Sequence, residues 1–206
     1  MVERGTRPAA HAELRAPCWL ALSAACWFAL CSTAARAQPA AERLAVCGGC
    51  HGANGQSTLA GTPSLAGQPK LFIENQLVII REGLRDVPVM KPFVAGLSDA
   101  EISAFATHYA ALAPKGATAA PQPDKARAGA ALAQKLLCGT CHLPSYAGQQ
   151  QVPRLAGQDE AFLLLAMKQF RDQPGPGRDT IMAATLRGLS NDELAQLAHH
   201  LAHFQP

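Results

Sequence analysis

Apolar residues recur every three or four positions in two stretches of this chain: Ile102, Phe105, Tyr109 and Leu112, and then Leu194, Leu197, Leu201 and Phe204. That spacing gathers each set on one face of an α-helix, where it reads as core. Both stretches start alike. Ser98 is followed three residues on by Glu101, and Ser190 by Glu193, the spacing of a capping box. Two further apolar runs, Lys70 to Arg81 and Asp159 to Arg171, are compatible with helices, and shorter helices are predicted for Ala40 to Val46 and Asp124 to Leu137. No alternating pattern of useful length suggests strands, so the predicted class is all-α.

The two helical sets belong to an internal repeat. A shift of 90 to 92 positions lays Pro63-Ser64-Leu65-Ala66-Gly67-Gln68 on Pro153-Arg154-Leu155-Ala156-Gly157-Gln158, Gly96-Leu97-Ser98 on Gly188-Leu189-Ser190, and Met90 on Met182. The order is the same in both halves, as in a duplicated domain. Between them, residues 114–123 are proline, glycine and small residues with the composition of a linker. The expected division is residues 38–113 as a first domain, 114–123 as linker and 124–206 as a second domain. Each half is small for an independent core and needs another apolar centre.

The start of the chain has a different character. A basic region from Met1 to Arg15 precedes a charge-free stretch, Ala16 to Ala35, which closes on Ala35-Arg36-Ala37. This order predicts a secretory signal peptide over residues 1–37, cut after Ala37, and hence a periplasmic protein. The rival reading is an uncleaved anchor, because about twenty uncharged residues can span a bilayer; the chain would then associate with the membrane. Cutting after Ala37 removes Cys18, Cys26 and Cys31 and leaves 169 residues with 14 basic and 13 acidic side chains. A balance that near to neutral argues against nucleic acid, which needs a basic face.

The four remaining cysteines all lie in two five-residue stretches, Cys47-Gly48-Gly49-Cys50-His51 and Cys138-Gly139-Thr140-Cys141-His142. Two thiols separated by two residues can add to the two vinyl groups of one haem, and the histidine that follows is placed to ligate its iron. A redox dithiol or a zinc knuckle are the rival readings, but a dithiol does not require the histidine. Each stretch is therefore a candidate c-type haem site.

Such an iron needs a sixth ligand or an open position. Met90 lies 39 residues after His51 and Met182 lies 40 after His142, so these equivalent methionines are the natural axial pair. A thioether is soft and neutral, favours ferrous iron and raises the reduction potential. Packing is the rival role for both. Met167 faces Leu77 in the repeat and is expected in the core. His108, His199, His200 and His203 lie on the terminal helices, where solvent exposure is expected, and they compete poorly as ligands.

The chain after residue 37 resembles the dihaem class I c-type cytochromes of the cytochrome c4 family. Two CxxCH sites, two PxLAGQ turns, a late methionine in each half and two LSxxE helix starts carry the resemblance. It implies two tandem class I cytochrome c domains, each around one covalently bound haem c, related by a pseudo-twofold axis with haem propionates facing each other. It also implies roles for Pro63 and Pro153, whose carbonyls would accept from Nδ1–H of the ligand histidine and leave Nε2 for iron. The cofactor-binding set is then Cys47, Cys50, His51, Pro63 and Met90, with Cys138, Cys141, His142, Pro153 and Met182; the metal ligands are His51, Met90, His142 and Met182.

Two departures stand out. His142 is followed by Leu143-Pro144-Ser145-Tyr146 where His51 is followed by Gly52-Ala53-Asn54-Gly55, and Pro174-Gly175-Pro176-Gly177 is inserted before Met182. The altered loop marks the second site as the place to expect partner-specific behaviour.

With both irons six-coordinate, neither offers a substrate position and no catalytic residue is assigned. The implied function is a periplasmic carrier of electrons between a respiratory donor and a membrane haem-copper oxidase or other redox protein. A second reading is an electron-transfer subunit of a periplasmic dehydrogenase complex. A third, a dihaem peroxidase, requires one iron accessible to peroxide and is typically a longer chain. Haem stain should persist on the denatured polypeptide in a gel; a colourless band would remove the haem reading altogether.

Overall fold

Helices account for nearly all the regular structure. The computed structural model describes residues 41–117 and 119–205, so the expected signal peptide and its cut after Ala37 lie outside the described residues. Helix α1 covers 41–51 and runs on through the first CxxCH, past the predicted end at Val46. It is followed by α2 (Lys70–Arg81), α3 (Lys91–Val94), α4 (Asp99–Ala110), α5 (Pro123–Lys135), α6 (Cys138–His142), α7 (Glu160–Asp172), α8 (Thr180–Leu186) and α9 (Asn191–His203). The short helices α3 and α8 were not expected, because one or two turns are too few to show a periodic pattern. Among the described residues there is no strand, and no helix is long and apolar enough to cross a membrane.

Both capping boxes form. Glu101 N–H donates to Ser98 Oγ at 3.3 Å while Ser98 N–H donates back to Glu101 Oε2 at 2.8 Å, and the Ser190–Glu193 box repeats this at 3.2 and 2.8 Å. These bonds hold both carboxyl groups below the usual range. The stripes the caps launch are buried at Ile102, Phe105 and Tyr109 on α4 and at Leu194, Leu197 and Leu201 on α9, whereas their last members, Leu112 and Phe204, fall past the helix ends and are half-buried. Met167 joins the second core. Equivalent arginines then tie α2 and α7 to the loops before these helices, Arg81 donating to Leu97 O at 2.9 Å and Arg171 to Leu189 O at 2.6 Å.

In the second half α5 lies directly on α9, and Gly129 allows the approach. A Cβ there would sit 2.1 Å from Gln196 O and 2.6 Å from His200 Cβ. Beside this crossing His199 departs from the expected exposure, being only 3% exposed. Its Nε2 accepts from Gln122 N–H at 2.9 Å and its Nδ1–H donates to Glu160 Oε2 at 2.9 Å, while Lys125 reaches the other carboxylate oxygen at 3.1 Å. Burial raises the Glu160 pKa, but the bonds from His199 and Lys125 outweigh it and the net shift is downward. His199 thereby joins the start of α5 to the start of α7.

The altered loop keeps the backbone of its glycine-containing counterpart. Gly52 and Gly55 have φ of 80° and 68°, and Leu143 and Tyr146 in their places have φ of 68° and 50°. With ψ of 156°, Leu143 occupies a region that is essentially restricted to glycine, at a cost on the order of 1–3 kcal/mol. Its partner position is compensated. In the first half a Cβ on Gly55 would sit 3.0 Å from the Tyr109 ring, whereas in the second Leu201 stands at that helix position and Tyr146 supplies the ring from the loop. The Tyr146 ring meets Phe204 and His200 edge-on at 4.8 and 5.8 Å.

Two stability measurements follow from these local conflicts. In denaturant unfolding of the haem-loaded protein, Gly129→Ala should destabilise by about 1–3 kcal/mol through overpacking, and Leu143→Gly should stabilise by about 1 kcal/mol after the entropy cost of glycine. Because the Glu160 pKa is depressed in the folded chain, its contribution is present above the unfolded carboxylate pKa and lost as pH falls through the folded one. Glu160→Gln should flatten that acid limb of the stability profile; an unchanged limb would assign it to other carboxylates.

Candidate metal centres

Helical spacing sets up each CxxCH. Positions i and i+3 share a face, so Cys47 and Cys50 lie together on α1, and Cys138 and Cys141 on α6. All four thiols are free, one of each pair half-buried and the other exposed. Burial pushes the Cys47 and Cys138 thiols up, which keeps them protonated.

His51 and His142 close their motifs and are buried. His51 Nδ1 lies 2.8 Å from Pro63 O, and His142 Nδ1 lies 2.8 Å from Pro153 O. A carbonyl oxygen only accepts, so Nδ1 carries the proton and Nε2 keeps its lone pair. Among the described residues neither ring makes another hydrogen bond. Burial lowers both imidazole pKa values more than the proline carbonyls raise them, which favours the neutral ring.

The methionines sit at matching places in the repeat. Met90 is the residue before α3 and Met182 lies in the first turn of α8, where its N–H donates to Asp179 Oδ1 at 2.9 Å. Both are half-buried. Cys138 and Met182 border one apolar cluster. Cys47 and Met90 border two clusters that share Leu44 and Leu77. The structure thus brings the thiol and thioether ends of each set to common apolar surroundings.

A pair of arginines completes these surroundings and was not singled out in the sequence. Arg85 donates to Gln76 Oε1, and Arg178, its equivalent 93 residues on, donates to Gln169 Oε1 at 3.2 Å. Both are half-buried, and among the described residues neither has a carboxylate partner within ion-pair distance. Burial, and then the charge of Arg178, push the Arg85 pKa down. Two cations converging without a counter-charge are costly. Haem propionates have the charge they require, and with the free thiols and the Nε2 lone pairs this donor set fits haem.

A second grouping, Glu160, His199 and His203, has the composition of a metal site. Both nitrogens of His199 are already committed, to Glu160 and to Gln122 N–H, and His203 Nδ1 bonds His199 O at 2.9 Å. It holds helices together instead.

Between the halves, the PxLAGQ turns meet. Gln158 receives Ser64 N–H on Oε1 at 2.7 Å and donates from Nε2 to Ser64 O at 2.8 Å, while Gln68 does the same to Arg154, at 2.9 Å for each bond. The repeat of this turn was visible in the sequence, but its partner was not. Gly67 and Gly157 take φ near 70°, and linker residues lie against both: a Cβ would sit 2.8 Å from Pro114 on Gly67 and 3.0 Å from Lys115 O on Gly157. The inserted stretch also reaches across, since a Cβ on Gly177 would meet Leu84 O at 2.6 Å.

Comparison with known proteins agrees with this construction. The family model described as cytochrome c oxidase, cbb3-type, subunit III matches residues 34–108. Cytochrome c4 of Pseudomonas aeruginosa is 30% identical over 168 residues, spanning 77% of this chain and 84% of that protein. A thiosulfate dehydrogenase electron acceptor of Stutzerimonas stutzeri is 33% identical over 169 residues, spanning 76% of this chain and 77% of that protein. The crystal structure of reduced recombinant cytochrome c4 from Pseudomonas stutzeri superposes with a TM-score of 0.73 at 28% identity, covering 82% of this chain and 98% of that one. The helical halves are thus two tandem cytochrome c domains, each for one covalently bound haem c, and the chain belongs to the cytochrome c4 family of dihaem electron carriers.

Proposed function

We propose that this chain is an exported, periplasmic dihaem carrier in which His51 and Met90 ligate one iron and His142 and Met182 the other. The observation that carries the ligand reading is the paired 2.8 Å bond from each histidine Nδ1–H to a proline carbonyl, which leaves each Nε2 lone pair unengaged. Bound haem supplies a one-electron couple at each centre. Cys47, Cys50, Cys138 and Cys141 hold the macrocycles covalently, and Pro63 and Pro153 keep the imidazoles in one tautomer and one plane. Arg85 and Arg178 would balance the charge of the propionates. With Met90 and Met182 as the second ligands, the two centres would carry electrons without offering a substrate position, which is the reason a peroxidase reading is not favoured.

The donor side of the proposal draws on the relative named as an electron acceptor of thiosulfate dehydrogenase. We read this chain in the same way, as the acceptor for a periplasmic dehydrogenase, with a membrane haem-copper oxidase as the onward partner. Ile181 and Val89, one residue from Met182 and Met90, are 68% and 72% exposed and give each centre an apolar contact for such partners.

A spectroscopic redox titration tests the ligands. Met182→Ala should lower one midpoint, by on the order of 0.1 V within the ~0.8 V range that axial ligation spans, and Met90→Ala the other; two unchanged midpoints would reject the methionine assignment. Mixing the oxidised carrier with a thiosulfate dehydrogenase and its substrate should reduce the haems within the dead time or milliseconds after it. Reduction no faster than with substrate alone would reject that donor.

A further inference from the structure

The glutamine clamps land on particular peptide groups. The carbonyl that accepts from His51 Nδ1–H belongs to Pro63, and the N–H of the same peptide unit, on Ser64, donates to Gln158 Oε1 at 2.7 Å. In the other half the Pro153 carbonyl accepts from His142 Nδ1–H, and the Arg154 N–H of that peptide donates to Gln68 Oε1 at 2.9 Å. Each histidine is therefore joined, through one peptide unit, to a glutamine of the opposite half. The amide orientation is unambiguous, since a backbone N–H must face the glutamine oxygen. Both glutamines are buried, at 4% and 5% exposure.

We propose that Gln158 and Gln68 are crossed positioning residues: Gln158 tunes the centre at His51 and Gln68 tunes the centre at His142. This rests on the reading of those histidines as iron ligands. Peptide resonance links the two ends of the unit, so an acceptor on N–H makes the carbonyl a better acceptor. A stronger Nδ1–H bond makes the imidazole a better electron donor and stabilises the oxidised iron. Closure of the interface thereby lowers the potential of each haem through the other domain.

The two arms are unequal. Gln158 Oε1 also accepts from Asp159 N–H at 2.9 Å, whereas Gln68 Oε1 serves Arg154 alone. The Gln158 bond to Ser64 is nonetheless the shorter, 2.7 Å against 2.9 Å, so the two differences oppose each other.

The experiment uses the full protein with both haems, comparing wild type with Gln158→Met and Gln68→Met, which keep length but remove the amide. Midpoints are assigned to each half by nuclear Overhauser contacts of the haem methyl groups, and the histidine Nδ1–H resonances are followed in the reduced, diamagnetic state. In Gln158→Met the His51 resonance should move upfield and the midpoint of its haem should rise, with the His142 haem unmoved. In Gln68→Met the mirror result is expected. Both midpoints moving together in each variant would mean a loosened interface and would overturn the proposal, as would no shift in the opposite half. Should the methionine variants fail to assemble, Gln→Glu retains an acceptor on the same N–H; the expected shift is then downward in the opposite haem, and a shift confined to its own half overturns the coupling. A wild-type protein lacking a ligand-type Nδ1–H resonance for His51 or His142 identifies failure of the ligand assignment itself.

Discussion

A buried imidazole held in one tautomer is the constraint on which the rest of this molecule depends. The carbonyl of Pro63 or Pro153 fixes the proton on Nδ1, and burial keeps the ring neutral. Everything that places that carbonyl then becomes part of the site. The PxLAGQ turn places it, the positive-φ glycines Gly67 and Gly157 allow the turn, and the last helix of each half receives the turn through Gly67 N–H to Tyr109 O and Gly157 N–H to Leu201 O, both at 3.0 Å. The capping boxes at Ser98 and Ser190 start those helices in register. A helix start and a histidine orientation are in this way one mechanical chain.

Duplication has preserved the backbone more strictly than the side chains. Leu143 and Tyr146 adopt the conformations of Gly52 and Gly55, and the same hydrogen bonds form around them: Tyr146 O accepts from Leu155 N–H at 2.9 Å as Gly55 O accepts from Leu65 N–H at 2.7 Å. The loop could change sequence because an aromatic ring moved from the helix to the loop, Tyr109 in one half and Tyr146 in the other. Leu143 has no such compensation and remains in a glycine-like conformation beside the second CxxCH. The halves therefore differ in stored strain while presenting the same histidine–proline geometry.

The junction between halves is polar at its centre, with backbone bonds made by Gln68 and Gln158, an added bond from Gly61 N–H to Asp159 Oδ1 at 2.9 Å, and two arginines that lack acidic partners among the described residues. Linker residues Pro114 to Gly116 cover the two glycine turns, so a segment with linker composition is packed against both halves. In the proposed haem-loaded protein the arginines would meet the propionates at this junction, while the glutamines hold the peptides behind the histidines.

Local chemistry and periodicity by themselves determined the helical class, the repeat, the CxxCH positions and the candidate ligands. Cys47, Cys50 and His51 are neighbours in the chain, and Ser98 and Glu101 are neighbours on a helix, so short spacings suffice to read them. The short helices α3 and α8 escaped because a turn or two carries no period. The burial of His199 escaped because its partners, Gln122 and Glu160, are 77 and 39 residues away. The same reason applies to Gln158 and Ser64, separated by 94 residues, and to the convergence of Arg85 with Arg178. A repeated turn motif announces that something is held twice; only the packing of one half on the other decided that each copy holds the peptide of its counterpart, because that partnership depends on how two surfaces meet and on no spacing within either.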